Sequence, residues 1–109
     1  MEENYSSELL RFVQDLEFVQ LLANPNYLQY LSNKGYLEDN DFIKYLVYLN
    51  YLKKPDFSRF IVYTRCFVML DLLLNETFRK ELSNTSFINY LHDVIHHDWS
   101  LTNIVNKYN

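Results

Sequence analysis

Residues that interrupt helices are nearly absent from this sequence. Its 109 residues include one Gly and two Pro, whereas an all-β sandwich or barrel needs a turn about every 8–12 residues and builds most turns from those two types. The same shortage disfavours a Gly-rich phosphate loop. With 49% hydrophobic and 22% charged residues, the composition is that of a folded domain. We therefore predict an all-α fold.

The length fits a single domain over residues 1–109, with a core at about 7–98 and polar, frayed termini. A domain of this size buries roughly two-thirds of the surface that its unfolded chain exposes, so it needs neither disulfide nor metal to fold. Its one cysteine, Cys66, excludes an internal disulfide and fits a reducing compartment. Because Cys66 lies in an apolar stretch, we expect a buried thiol rather than a nucleophile.

The charge pattern argues against nucleic acid and membranes as direct partners. The net charge is −4, and phosphate binding needs clustered Lys and Arg, which this chain lacks. No apolar run approaches the roughly 18 residues of a membrane span. The acidic, polar N-terminus does not resemble a signal peptide. We expect a soluble intracellular protein.

Capping residues and hydrophobic spacing predict a compact antiparallel bundle of about five to six helices with short connections. Ser6 or Ser7 can cap the first helix, which ends near Ala23 because Pro25 disfavours helical dihedrals before it. Asn24 can cap the second helix, with Pro25 at its first position, and Gly35 suits a left-handed helix end. A third helix is predicted from Asp39 or Asn40 to about Lys53, a short fourth helix from Pro55, and a fifth over Thr64–Leu74. The stretch Asn75–Leu82 either continues the fifth helix or forms a helix of its own. A last helix is capped within Ser83–Thr85, and a polar tail follows Trp99.

Aromatic residues are unusually frequent, at 17% of the chain with ten Tyr. The third helix is the richest: nine of the eleven residues from Phe42 to Leu52 are hydrophobic, which predicts a central position in the fold. Tyr45, Tyr48 and Tyr51 recur in it every three residues, so their hydroxyls need partners or water. A Tyr surplus of this kind suits a surface that is buried on binding, or it simply fills the edge of the core.

Among the charged residues, Glu17 is the candidate for a special role. Its predicted helical neighbours are mostly apolar, so its carboxylate could accept backbone N–H bonds at the start of the second helix. A catalytic role would need a positioned second group. Arg11 and Asp15 form a predicted i,i+4 pair on the opposite face. Arg79 and its neighbours Lys80 and Glu81 suggest a solvated face, although Arg79 could equally clamp a carboxylate such as Glu17 or an acidic residue of a partner.

The histidines give only a weak metal signal. His92 and His96 are four residues apart on the last helix, with His97 adjacent, a spacing that can hold a transition metal. Two histidines alone supply too few ligands, and near a helix C-terminus they also complement the helix dipole. We predict no metal, no cofactor and no catalytic residue.

Three motifs carry a specific resemblance. The runs LEFVQLLANPNYLQYL (Leu16–Leu31), GYLEDNDFIKYLVYLNYLKKPDFSRF (Gly35–Phe60) and FRKEL (Phe78–Leu82) occur in an order and spacing similar to those of the Mediator subunit 31 family. The resemblance covers about residues 10–100. It implies a helical, non-enzymatic, nuclear subunit in the middle module of Mediator, the coactivator that links transcription factors to RNA polymerase II.

The resemblance also implies a partner, an N-terminal proline-containing stretch of Mediator subunit 7, besides other middle-module subunits. Extended proline-rich segments dock in aromatic-lined grooves because they lose little conformational freedom. An alternative from another class is a helical interaction module outside transcription; an enzyme or metalloprotein built on the histidines is a third. The predicted partner-binding residues are Asn24, Pro25, Tyr27, Tyr36, Tyr45, Tyr48 and Tyr51.

Overall fold

The computed structural model describes residues 6–61, 65–96 and 107–108. Within these ranges the chain forms α-helices and short 3-10 segments and no strand, which confirms the all-α prediction. The predicted helix start at Thr64, His97 and the tail after Trp99 lie outside the described residues. The elements are α1 Ser7–Leu21, α2 Pro25–Asn33, a 3-10 turn Tyr36–Glu38, α3 Asn40–Tyr48, a 3-10 segment Leu49–Lys53, α4 Pro55–Ser58, α5 Arg65–Leu73, α6 Glu76–Glu81 and α7 Thr85–His96.

Short polar side chains start the helices where the sequence predicts. Ser6, Asn24 and Asp39 each accept a backbone N–H bond of 2.9–3.0 Å from two or three residues further along, which satisfies a donor that the first helical turn leaves unpaired. Pro25 and Pro55 occupy first helical positions, where a missing N–H costs nothing. These local signals fix where α1 to α4 begin.

Gly35 ends the second helical segment in the predicted left-handed conformation, with φ 82°. Its N–H donates to the carbonyl of Ser32 at 3.1 Å, so the helix closes before the chain turns into Tyr36–Glu38. A residue with a Cβ disfavours this conformation.

The stretch from Asn75 to Leu82, left open by the sequence, is a helix of its own. The Asn75 side chain accepts a hydrogen bond from the N–H of Phe78 at 3.0 Å and thereby caps α6. Its amide also donates to the carbonyl of Tyr108 at 2.6 Å.

In the described part of the chain, no helix combines the length and the apolar character that a membrane crossing requires.

The core runs through every long helix and consists mainly of leucines. The Phe78 ring is fully buried and packs edge-on against Phe87 and Tyr108, with centroids 5.6 and 5.3 Å away. Helix α1 packs on α5, and α2 packs on α7. The buried hydrophobic residues are Val19, Leu22, Leu28, Leu31, Leu37, Leu46, Leu49, Leu52, Ile61, Cys66, Met69, Leu70, Leu72, Leu73, Phe78, Leu82, Ile88, Leu91 and Val94.

The prediction that one α-helix runs from Asp39 to Lys53 and is central on nearly all sides was wrong in two respects. The α-helix ends at Tyr48 and continues as the 3-10 segment. Only one side is deeply buried: Leu46, Leu49 and Leu52 are fully buried, whereas Val47 is 54% exposed. A 3-10 helix has three residues per turn, so residues three apart stay aligned. The tighter winding therefore keeps a leucine row on the core side.

Candidate partner-binding surface

The three tyrosines of the α3 region converge on one buried carboxylate, that of Asp15 in α1. Tyr45 donates to Oδ1 at 2.7 Å, and Tyr48 and Tyr51 donate to Oδ2 at 2.8 and 2.9 Å. Asp15 is only 1% exposed. Three hydroxyl donors give the carboxylate the partners that a buried charge needs.

The same three-residue spacing explains this convergence. Tyr45, Tyr48 and Tyr51 form a row beside the buried leucine row, and the change from α to 3-10 winding keeps successive members close to the same direction. Adjacent rings lie 5.8 and 5.2 Å apart, centroid to centroid. The sequence predicts that these hydroxyls need partners but does not identify Asp15 as the acceptor.

Arg11 completes the carboxylate's surroundings. Its Nε lies 3.5 Å from Asp15 Oδ1, so the predicted i,i+4 pair is confirmed, but the prediction that it lies on the outer face is wrong for Asp15. The guanidinium carbon lies 5.1 Å from the centre of the Tyr48 ring, a cation–π geometry. Because the Arg11 side chain is 57% exposed, it joins the buried carboxylate to the surface.

Burial and the Asp15 carboxylate raise the pKa values of these tyrosines. Desolvation, followed by the hydrogen bond to Asp15, raises the pKa of Tyr45 and Tyr51. For Tyr48, the hydrogen bond to Asp15 is the largest cause that raises its pKa. The hydroxyl protons therefore stay on the tyrosines and point at the carboxylate at neutral pH.

We expect Tyr45, Tyr48 and Tyr51 to ionise only as the fold is lost. An unfolded chain releases tyrosine protons near about pH 10, while the raised folded pKa values retain them. This contribution to stability is therefore complete below about pH 10 and decreases above it. Tyrosinate absorbance and far-UV circular dichroism, followed together during alkaline titration, should show a late tyrosinate increase that coincides with helix loss. Complete tyrosine ionisation with the helix signal intact would contradict the expectation.

The tyrosines belong to a longer row of touching rings, which we call the aromatic ribbon. Consecutive centroids along it are 5.2–6.2 Å apart. A side branch from Phe18 leads through Phe42 to Tyr36. The ribbon consists, in spatial order, of Tyr30, Tyr27, Phe18, Tyr45, Tyr48, Tyr51, Phe57, Phe12 and Phe60.

The ribbon is partly open to solvent. Tyr30 is 47% exposed at one end, Phe60 is 51% exposed at the other, and Tyr48 is 43% exposed between them. Near the Phe60 end an open cleft of about 530 Å³, the aromatic cleft, separates the start of α1 from the 3-10 segment. Its lining consists of Ser7, Glu8, Arg11, Phe12, Tyr48, Tyr51 and Phe57.

The structure places some of the predicted site residues on the ribbon and others next to it. All five tyrosines lie on the ribbon or its branch. Asn24 and Pro25 lie at the turn before Tyr27, where Asn24 caps α2 and Pro25 is buried. Phe12, Phe18 and Phe57, which sequence reasoning did not select, connect the tyrosines into one surface. Their only sequence signal is that they are apolar.

Three charged residues differ from prediction. Glu17 is exposed and does not cap α2, because Asn24 does so itself; the buried carboxylate of α1 is Asp15. Arg79 does not clamp Glu17 but donates from Nη1 to the carbonyl of Leu73 at 2.8 Å, which joins α6 to the end of α5. Glu81, assigned to a solvated face, is half-buried and accepts a hydrogen bond from Tyr108.

His92 and Cys66 have structural surroundings. His92 Nε2 lies 3.0 Å from Asn26 Oδ1, so the pair connects α7 to α2. Within the described ranges, no three His, Cys, Asp or Glu side chains are grouped to hold a metal ion. Burial raises the pKa of the Cys66 thiol to about 11, which leaves it protonated and unreactive at neutral pH.

Comparison with known proteins gives a consistent family. The Med31 family model, described as SOH1, matches residues 9–103. The chain is 57% identical over 91 residues to Mediator of RNA polymerase II transcription subunit 31 of Aedes aegypti, which covers 84% of this chain and 42% of that protein. It is 63% identical over 82 residues to subunit 31-B of Xenopus laevis, 75% of this chain and 64% of that protein. A putative subunit 31 of Dictyostelium discoideum is 53% identical over 98 residues, 90% of this chain and 53% of that protein.

In these alignments the chain spans between 42% and 64% of each relative's length. The family match nevertheless covers most of this chain and includes nearly all of α1 and all of α2 to α7, hence Asp15 and the whole aromatic ribbon. On the family match and these identities, the chain belongs to the Mediator subunit 31 family.

Proposed function

We propose that this chain is a non-catalytic nuclear subunit of the Mediator complex that acts in RNA polymerase II transcription within the middle module. In this role it binds an extended N-terminal segment of Mediator subunit 7 along the aromatic ribbon. Family membership supports the Mediator role. The single observation that supports the docking surface is a continuous, half-exposed row of rings on an otherwise leucine-lined bundle.

The ribbon's geometry suits a proline-containing occupant. Polyproline II rises about 3.1 Å per residue, so two residues span about one ring-to-ring step. Eight such steps connect Tyr30 to Phe60, and a segment that followed them all would contain about sixteen residues. Such a segment is already extended before it binds, so it loses little entropy when it docks on rigid rings.

The Asp15 arrangement keeps those rings rigid. Three hydroxyl bonds hold Tyr45, Tyr48 and Tyr51 in one orientation, and a surface with fixed side chains binds with a smaller ordering cost. The alternative role, in which the rings only fill the edge of the core, explains the buried hydroxyls but not the exposed faces of Tyr30 and Phe60. Asn24 and Pro25 contribute by fixing the turn that positions Tyr27.

Co-expression tests this proposal. The chain is produced with a tagged N-terminal segment of Mediator subunit 7 from the same organism and analysed by size-exclusion chromatography. We expect one complex of one-to-one stoichiometry that survives purification. Separate elution of the folded chain and the intact segment would contradict the proposed partner. Recovery of the tagged chain from nuclear extract without other Mediator subunits would contradict the Mediator role.

A further inference from the structure

The tyrosine hydroxyls of the aromatic cleft are not free to donate hydrogen bonds to a bound segment. A tyrosine hydroxyl has one proton to donate, and Tyr48 and Tyr51 both donate theirs to Asp15. Any hydrogen bond between these hydroxyls and an occupant can therefore use only their acceptor lone pairs. Glu8, also in the lining, is an acceptor as well when ionised.

A proline-containing segment also lacks hydrogen-bond donors at its prolines. Proline has no backbone N–H, so its peptide unit offers a carbonyl acceptor alone. Two sets of acceptors cannot bind each other directly, and carbonyls desolvated without a donor weaken binding. The cleft thus needs a donor of its own that faces the occupant.

Arg11 is placed to be that donor. It lines the cleft beside Tyr48 and Tyr51, its guanidinium lies over the Tyr48 ring, and more than half of its side chain is exposed. Guanidinium carries five N–H donors in a planar fork. Its Nε lies 3.5 Å from Asp15 Oδ1, so the N–H groups of the two terminal nitrogens remain available to an occupant.

We propose that Arg11 is the specificity-determining residue of the aromatic cleft and donates hydrogen bonds to backbone carbonyls of the docked proline-containing segment. This inference rests on the proposed function. Asp15 is a positioning residue here, because it accepts the hydrogen bonds of the Tyr48 and Tyr51 hydroxyls and pairs with the Arg11 guanidinium. We expect the occupant to be uncharged at this point, because Asp15 already offsets the charge of Arg11.

The test compares affinities for a synthetic peptide of about sixteen residues from the proline-containing N-terminal stretch of Mediator subunit 7, by isothermal titration calorimetry. Arg11→Met keeps the stem that covers Tyr48 and removes the donors; we expect binding weaker by about tenfold. Tyr48→Phe keeps the ring in the cleft but removes one of the three hydroxyl bonds that orient the tyrosines, so we expect a loss clearly smaller than that of Arg11→Met. Lys107→Met is the control: that ammonium also lies over a ring, Tyr108, at 5.4 Å, but the ring is outside the ribbon, so we expect no change in affinity.

Each outcome decides between the proposals. If the unsubstituted chain does not bind the peptide, the proposed function fails and this inference fails with it. If it binds and Arg11→Met binds equally well, or Tyr48→Phe loses more affinity than Arg11→Met, only the inference fails. Thermal unfolding of each variant checks that the fold is retained. The effect of Arg11→Met should also persist at high salt; its disappearance would indicate an acidic residue of the partner and overturn the carbonyl assignment.

Discussion

Replacing Asp15 with Ala should lower the free energy of unfolding by about 3 kcal/mol, because removal of one partner from a buried charged network leaves the others uncompensated. The substitution takes the acceptor from three tyrosine hydroxyls and the carboxylate from Arg11. The loss is smaller than the sum of the separate hydrogen-bond and ion-pair contributions for two reasons. The variant no longer has to desolvate a carboxylate, and the tyrosine hydroxyls gain partial access to water. Urea unfolding followed by far-UV circular dichroism measures it.

Glu17→Ala is the matched control for this substitution. Glu17 lies two residues further along α1 and is exposed, and we expect its replacement to change stability by less than about 0.5 kcal/mol. Equal midpoints for the two variants would show that the Asp15 network contributes nothing measurable. An Asp15→Ala protein as stable as the parent would contradict the structural role assigned to the carboxylate.

Local signals in the sequence were sufficient to predict how the helices begin. Ser6, Asn24 and Asp39 cap the helices they precede, and Gly35 adopts the left-handed conformation, since capping and backbone preferences depend on a few neighbouring residues. The scarcity of Gly and Pro correctly predicted an all-α fold.

The centre of the candidate site was not predictable in the same way. Arg11 and Asp15 have the spacing of an ordinary surface ion pair, and nothing local shows that α3 covers one of them. Glu17, with apolar residues around it in sequence, looked the better candidate for burial. Which side of α1 is covered depends on contacts with the 3-10 segment and α5, that is, on tertiary packing.

The tyrosine spacing contained more information than the prediction used. Tyr45, Tyr48 and Tyr51 recur every three residues, as do Leu46, Leu49 and Leu52. Two adjacent rows with a period of three match 3-10 winding better than the 3.6 residues of an α-helix. This pattern is the sequence signal for the change in winding at Tyr48 and for the common side on which the three tyrosines lie.

The second large expected effect concerns binding at the ends of the aromatic ribbon. The double variant Tyr30→Ala with Phe60→Ala should bind the subunit 7 peptide about a hundredfold more weakly, since two exposed rings that anchor an interface contribute about tenfold each. Both rings are about half exposed, so the variant should remain folded. The loss follows from removed contact area rather than from a disturbed core.

Tyr90 supplies the control that makes this measurement decisive. It is a helical tyrosine as exposed as Tyr30, at 45% against 47%, but its ring contacts Phe87 and lies outside the ribbon. The measurement is the peptide affinity of the double variant relative to that of Tyr90→Ala. We predict a loss of about a hundredfold for the former and of less than about twofold for the latter. Equal affinities for the two folded variants would contradict the claim that the aromatic ribbon is the docking surface.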